Sequence, residues 1–253
     1  MSEMNVIRYD DEKLNDAIAI VGFPTVGLVG SIVTSFIIKE LNMPVLRGLS
    51  SDDMSPYCIL MDGEPYPPIR VHGFCRAVDS NTECGDLMVV TSEIAPNIKQ
   101  CYTLTEEMLD MFLDYGITKV ICLEGIPRFG ETDVMYACGS SPAARKIVEQ
   151  FGVEPLVNGM IKGLTGVMLF EGKHRNMDIV SLLCPADQKL PDPRAAVRMV
   201  EELAKVVPEL SNVDTEPLVK EAEELEKRIL AQMEQAQATE ESSVMPYDGH
   251  LYG

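Results

Sequence analysis

Apolar residues along this chain fall into two alternating patterns. Short, nearly unbroken apolar runs occur at 17–21, 43–49, 57–61, 69–74, 87–90, 119–123, 134–138 and 179–184. Runs of this length read as strands, and those without polar alternation read as strands buried on both faces. Between them, apolar residues recur at three- and four-residue steps. Val26, Val29, Val33, Phe36, Ile37 and Leu41 predict a helix opening at Thr25 as N-cap. Cys101, Leu104, Met108, Met111 and Phe112 predict a second over 98–115, closed by Gly116. Further helices are predicted over 142–151, ending at Gly152, over 164–171, and from Pro191-Asp192-Pro193 to about Val207, before Pro208. Strands alternating with helices predict α/β layering on a largely parallel sheet.

The stretch AIAIVGFPTVGLVGSIVTSFIIKEL, residues 17–41, makes strand, glycine turn and helix, which is half of a βαβ unit. Helix N-termini of this kind can hold phosphate. Here Leu28, not Lys, follows Gly27, and the glycines at 22, 27 and 30 lack the Gly-x-Gly spacing of a dinucleotide site. Close helix–strand packing and a sharp turn are the favoured reading of these glycines, and no motif demands an anion.

After Pro208 the pattern changes. Leu218, Ala222, Leu225 and Ile229 step by four, three and four, as in an a/d seam, with acidic residues on the other faces. Two heptads need a surface to pack on, so the seam is a candidate for self-association or for docking on the body. Residues 236–253 are small, acidic and turn-forming, as in a flexible tail, and end in Leu251-Tyr252-Gly253. The expected organisation is a globular domain over 1–208, an acidic amphipathic helix over 209–235 and the tail over 236–253.

Composition narrows the function. A chain of 253 residues with 46% hydrophobic and 24% charged residues matches a globular domain. No apolar run reaches the roughly 20 residues of a membrane span, and the polar N-terminus does not read as a secretory signal. A cytoplasmic protein with no membrane partner is expected. Net charge is −19, and from Glu209 to the end eleven acidic residues face Lys220, Lys227 and Arg228. Nucleic acid is therefore not an expected partner. The seven cysteines are odd in number and show no C-x-x-C spacing, which favours free thiols over disulfides or zinc.

The chemistry of an enzyme is hard to find. There is no G-x-S-x-G elbow, and the three histidines show no H-x-x-x-H or H-E-x-x-H spacing, so neither a catalytic residue nor a metal ligand is assigned. His72 lies in an apolar strand, His174 beside Lys173 and Arg175 at a helix end, and His250 in the tail. Asp52-Asp53 reads as a solvated turn rather than a magnesium site. Three polar spots, from Ser50 to Ser55, Thr91 to Glu93 and Glu124 to Arg128, fall at the carboxyl ends of predicted strands, where open α/β sheets place ligand crevices. Loop capping is the simpler reading of all three.

GFPTVGLVGSIVTSFIIKEL, DGEPYPPIRVHG, VVTSEIAP, LEGIP and PDPRAA occur here in the order seen in one family. Over roughly residues 17–229 the chain resembles the archaeal and bacterial relatives of proteasome assembly chaperone 2. That resemblance implies a three-layer α/β/α sandwich, no catalytic residues and no cofactor. For the archaeal branch it implies an ATP-independent chaperone of 20S proteasome α-ring assembly. It acts as a homo-oligomer or with a paralogue, and its hydrophobic–Tyr–X tail docks between α-subunits. By this likeness Leu251 fills an apolar notch, Tyr252 packs and hydrogen-bonds at its edge, and the Gly253 carboxylate meets a pocket lysine. The same sandwich looks like that of nucleoside phosphorylases, and related sequences carry an ATP-grasp ligase label, so a small-molecule enzyme is the rival reading. A purely structural oligomeric scaffold is the third.

Overall fold

The computed structural model describes residues 4–10, 13–75, 86–128, 130, 132–211 and 213–220. In chain order these form β1 (Asn5–Arg8), β2 (Ile18–Gly22), α1 (Val29–Glu40), β3 (Val45–Ser50), β4 (Ile59–Met61), β5 (Glu64–Tyr66), β6 (Ile69–Phe74) and β7 (Leu87–Ser92). Then come α2 (Ile98–Asp114), β8 (Lys119–Pro127), β9 (Tyr136–Gly139), α3 (Pro142–Val148), β10 (Glu154–Pro155), α4 (Gly163–His174), β11 (Asp178–Ala186) and α5 (Pro193–Leu203). Nine strands join one sheet in the order β1-β3-β6-β7-β2-β8-β11-β9-β10. Its centre, β7-β2-β8-β11, is parallel, while β6 and β3 on one side and β9 on the other are antiparallel to their inner neighbours.

The central strands are apolar without interruption because both their faces are covered. In β2, Ile20 points into a core with Val29, Val33 and Ile37 of α1 and Ala196, Met199 and Val200 of α5. Its neighbours Ala19 and Val21 point the other way, among Leu104, Met108 and Phe112 of α2 and Leu164 and Met168 of α4. Helices thus lie on both faces, α1, α3 and α5 on one and α2 and α4 on the other. This is the three-layer sandwich expected.

Capping fixes several boundaries. Asn97 and Gln100 form a reciprocal capping box at α2, which Gly116 follows at φ +71°. Ser141 caps α3. The Asp62-Gly63 turn joins β4 to β5 with both residues at positive φ, the conformation of a tight hairpin turn. This hairpin stands apart from the main sheet, tied back where Tyr66 meets Tyr9 at 5.0 Å between ring centroids.

Four expectations need correction. Thr25 does not cap α1: a 3-10 turn, Val26–Leu28, intervenes, and the helix begins after Leu28 in the left-handed region. Strands β8 and β11 run on to Pro127 and Ala186, because their nine-residue pairing continues past the apolar run. The last helix ends at Leu203 rather than Val207. Finally, β1 and the two-residue β10 join the sheet without a strand having been predicted for either.

Beyond Pro208 the chain still touches the body. Leu210 and Leu218 are buried in the α1/α5 core, Leu218 at 3% exposure, with Val213 packed against it. A 3-10 turn at Pro208–Leu210 and a helical stretch over 216–220 are the described parts of the expected 209–235 helix. Ala222, Leu225, Ile229 and the whole 236–253 tail lie outside the described residues. Among the described residues no helix is long and apolar enough to cross a membrane.

Candidate functional site

The three strand-end spots lie along one edge of the sheet, at the carboxyl ends of β3, β7 and β8, as their positions predicted. What the structure adds is how that edge is filled. The turn between β2 and α1 folds over the end of β8, and the glycines make the approach possible. A Cβ on Gly125 would stand 1.8 Å from the carbonyl oxygen of Val26, and one on Gly22 would stand 2.3 Å from that of Gly30. The Thr25 hydroxyl, freed from capping, accepts the Gly125 N–H at 2.9 Å. At Gly125 the end of β8 is covered by the chain's own backbone.

The PDPRAA stretch closes the same corner. Asp192 caps α5 by accepting the Ala195 N–H at 2.9 Å, accepts the Asp187 N–H at 3.1 Å, and pairs with Arg128 at 3.1 Å. Its own N–H donates to the Gly27 carbonyl at 2.8 Å. Gly27 sits at φ +64°, and a Cβ there would lie 2.6 Å from that of Ala186. Arg128 also pairs with Asp133 at 2.9 Å, and Asp133 with Arg198 at 3.0 Å. Three blocks far apart in sequence, around Gly22–Gly30, Glu124–Arg128 and Asp192, therefore meet in one tightly fitted corner. Asp133, Thr165, Asp192 and Arg198 had no chemical role in the sequence reading. Only the place of Asp192 in the Pro191-Asp192-Pro193 stretch that opens the last helix was visible there.

The other polar spots are also occupied locally. Thr91 and Thr34 hydroxyls share a hydrogen bond at 2.8 Å, and the Ser31 hydroxyl donates to the Ser92 carbonyl. The Ser92 hydroxyl both donates to the Ile94 carbonyl and accepts its N–H. Glu93 forms a two-pronged pair with the buried Arg70, which also donates to the Pro67 and Pro68 carbonyls. Ser51 to Ser55 form a turn beside a small cleft of about 60 Å³, lined by Met54, Ser55, Ile94 and Gln100 among others.

Three titratable groups depart strongly from their ordinary values, the Cys122 thiol, raised by burial, among them. Burial pushes Glu124 up to about 7, against the opposing effects of the Thr165 hydroxyl that donates to it and of Lys162. Burial also lowers His72 to about 4, although its Nδ1 lies 2.9 Å from the Met43 carbonyl. Beside Glu124 stand the Thr165 hydroxyl and the Cys122 thiol, which burial pushes well up. His174 sits at the end of α4 with Nδ1 2.8 Å from the Phe170 carbonyl. Among the described residues no three His, Cys, Asp or Glu side chains gather as metal ligands. The arrangement is chemically a lock that holds a turn, a strand end and a helix start together. Leu251, Tyr252 and Gly253 lie outside the described residues.

Comparison with known proteins agrees with the sequence resemblance. A family model described as the PAC2 family matches residues 19–233. A protein of Methanocaldococcus jannaschii is 27% identical over 235 residues, covering 93% of both chains. The crystal structure of Pyrococcus furiosus PbaA, described as an archaeal homolog of proteasome-assembly chaperone, superposes with a TM-score of 0.77 at 31% identity, covering 95% of this chain and 97% of PbaA. The fold also matches Pyrococcus furiosus PbaB, described as an archaeal proteasome activator, with a TM-score of 0.75 at 22% identity, covering 92% of this chain and 100% of PbaB.

Proposed function

The chain belongs to the PAC2 family, and from that premise we propose that it is an ATP-independent chaperone of 20S proteasome assembly. It works in the cytoplasm as a homo-oligomer or with a paralogue, and it docks its Leu251-Tyr252-Gly253 end between α-subunits. The observation that carries this reading is the full-length likeness to PbaA, an archaeal homolog of a proteasome-assembly chaperone.

The energetics suit a transient helper. Burying one leucine and one tyrosine gains ~3–5 kcal/mol before the ordering of the tail is subtracted. A single tail binds weakly, whereas several tails on one oligomer gain avidity by orders of magnitude. Release then requires no nucleotide.

The test is binding of the full chain to purified α-subunit rings, compared with Tyr252→Ala and with a chain ending at His250. The expected result is binding by the full chain and at least a tenfold loss in both variants. Equal binding by all three overturns tail docking. Absence of binding by any of them overturns the α-ring as the partner of this chain acting without a paralogue.

A further inference from the structure

We infer that Asn158-Gly159 is a self-modifying site, at which Asn158 loses its amide through a cyclic imide and becomes an isoaspartyl or aspartyl residue. The site lies in the folded body and owes nothing to the tail or its partner.

This chemistry, one reason asparagine is thermolabile, needs a side-chain amide carbon, an unhindered main-chain nitrogen after it, and freedom for the two to meet. Asn158 is the one asparagine of the sequence that glycine follows. Gly159 has no side chain to screen its nitrogen, and glycine gives the backbone its widest choice of conformations. Both residues are exposed in the loop between β10 and α4, flanked by Val157 at 81% and Met160 at 90% exposure. The loop is anchored where the Leu156 N–H donates to the Ala137 carbonyl at 2.8 Å and where α4 opens at Gly163. Between these anchors neither the Asn158 side chain nor the Gly159 N–H makes a hydrogen bond to a described residue.

Elsewhere the fold withholds at least one requirement. The Asn97 side chain accepts the Lys99 and Gln100 N–H groups, and Ile98 follows it. After Asn42 and Asn176 stand Met43 and Met177, whose N–H groups are committed to the Ile38 and Gly172 carbonyls at 2.9 and 2.8 Å. Asp62-Gly63 brings a carboxyl in place of the amide, and it is clamped in a tight turn where Met61 pairs with Glu64.

The step balances with water as the only co-reactant. The Gly159 nitrogen bonds to the Asn158 Cγ, the Cγ–Nδ2 bond breaks, and the nitrogen's proton leaves with the amide as ammonia. Water then opens the five-membered imide. Opening at Cγ gives aspartate, and opening at the main-chain carbonyl gives isoaspartate, with the chain running through Cβ and Cγ. Either product sets a carboxylate between the exposed Val157 and Met160 side chains, so the loop turns from apolar to anionic as the molecule ages. The isoaspartyl form is also a methyl acceptor for carboxyl methyltransferases that use S-adenosylmethionine.

The test keeps the full chain in mildly alkaline buffer, samples it over days and follows the tryptic peptide Ile147–Lys162 by mass spectrometry. The peptide should gain one mass unit, placed by fragmentation at Asn158 and not at Gln150, at a rate within tenfold of that of the same chain in guanidinium chloride. Gly159→Ala, whose Cβ meets only the flexible Leu156 side chain at 3.2 Å, should fold with an unchanged melting temperature and slow the reaction at least tenfold. Aged parent chain should take up methyl groups from S-adenosylmethionine with a purified isoaspartyl methyltransferase, and aged Gly159→Ala should not. A native rate more than tenfold below the denatured one overturns the site, because the fold then protects the pair. Equal rates in the parent and Gly159→Ala, or no methyl uptake by the aged parent, overturn the imide route.

Discussion

At Gly125 a single hydrogen atom decides whether the corner closes. Any larger side chain there meets the Val26 carbonyl, which is backbone and has nowhere to go. Gly125→Ala should cost at least about 3 kcal/mol or abolish folding, whereas Gly116→Ala, at positive φ but in open space, should cost only about 1 kcal/mol. Denaturant melts of both variants against the parent chain check this contrast. Glu124 supplies a second prediction at this scale. Its folded value of about 7 lies above the ordinary 4.5, so the native state holds the proton longer than the unfolded state. The stability it contributes is full below pH 4.5 and is lost as pH rises to about 7. His72, lowered to about 4 from 6.5, acts in the opposite sense: stability is gained as pH rises from 4 to 6.5. The two slopes offset over pH 4.5–6.5, so the parent chain alone conceals both. Glu124→Gln unmasks one of them. Relative to the parent it should gain on the order of 1–3 kcal/mol between pH 4.5 and pH 8, read as the difference of two urea melts at each pH. A pH-independent difference would mean that Glu124 is ionised in the native state throughout.

Among the elements, α5 shows how much one cap can hold. Asp192 receives two backbone N–H groups and a guanidinium, and it carries the β2–α1 turn through its own N–H. Asp192→Ala should therefore cost more than the roughly 1 kcal/mol of a typical N-cap, about 2–4 kcal/mol, by leaving Arg128 and the Asp187 N–H short of a partner. A thermal melt measures it, and a loss no larger than that of Asn97→Ala at the α2 cap would show that Asp192 is only a cap. The same element shows where sequence reading succeeds. Pro191-Asp192-Pro193 marked the opening of the helix, which starts at Pro193. It did not mark that Asp192 touches Gly27, because nothing in either segment encodes contact with the other. The corner formed by Gly22, Gly125 and Asp192 was likewise invisible, since its parts lie 67 to 170 residues apart and the glycines signal only that something comes close. Strand β1 escaped for a different reason. Four residues with one charge and both faces exposed offer no periodicity, and their strand character comes entirely from β3. Thr25 misled because a threonine ahead of an apolar helix fits a cap, while the left-handed turn at Gly27 and Leu28 turned its hydroxyl toward β8.

For the whole molecule the informative question is where the folded body stops. Pattern placed its end at 208, before an acidic segment that looked separable. Leu210 and Leu218 nonetheless fill the α1/α5 core, so the segment from 209 to at least 218 is held to the body by apolar burial. Truncation after Val207 should therefore uncover Val200, Leu203 and Val207 and lower stability by about 3–6 kcal/mol, given about 1.5–3 kcal/mol for each large side chain lost from a core. Removal of Leu251, Tyr252 and Gly253 should leave the melting temperature within about 1 °C, because every core residue named above precedes position 219. Calorimetry of the two truncations, run beside the α-ring binding assay, separates their consequences. The short deletion should lose binding and keep stability, as expected of a tail whose contacts are all made on a partner. The long truncation should lose both, and the loosened body, still at −11 once the −8 of the removed segment is taken from −19, is further opposed by its own charge. Added salt should therefore recover part of its stability. Salt should also weaken any carboxylate-to-lysine contact made by the tail, so fold and docking should respond to the same variable in opposite directions.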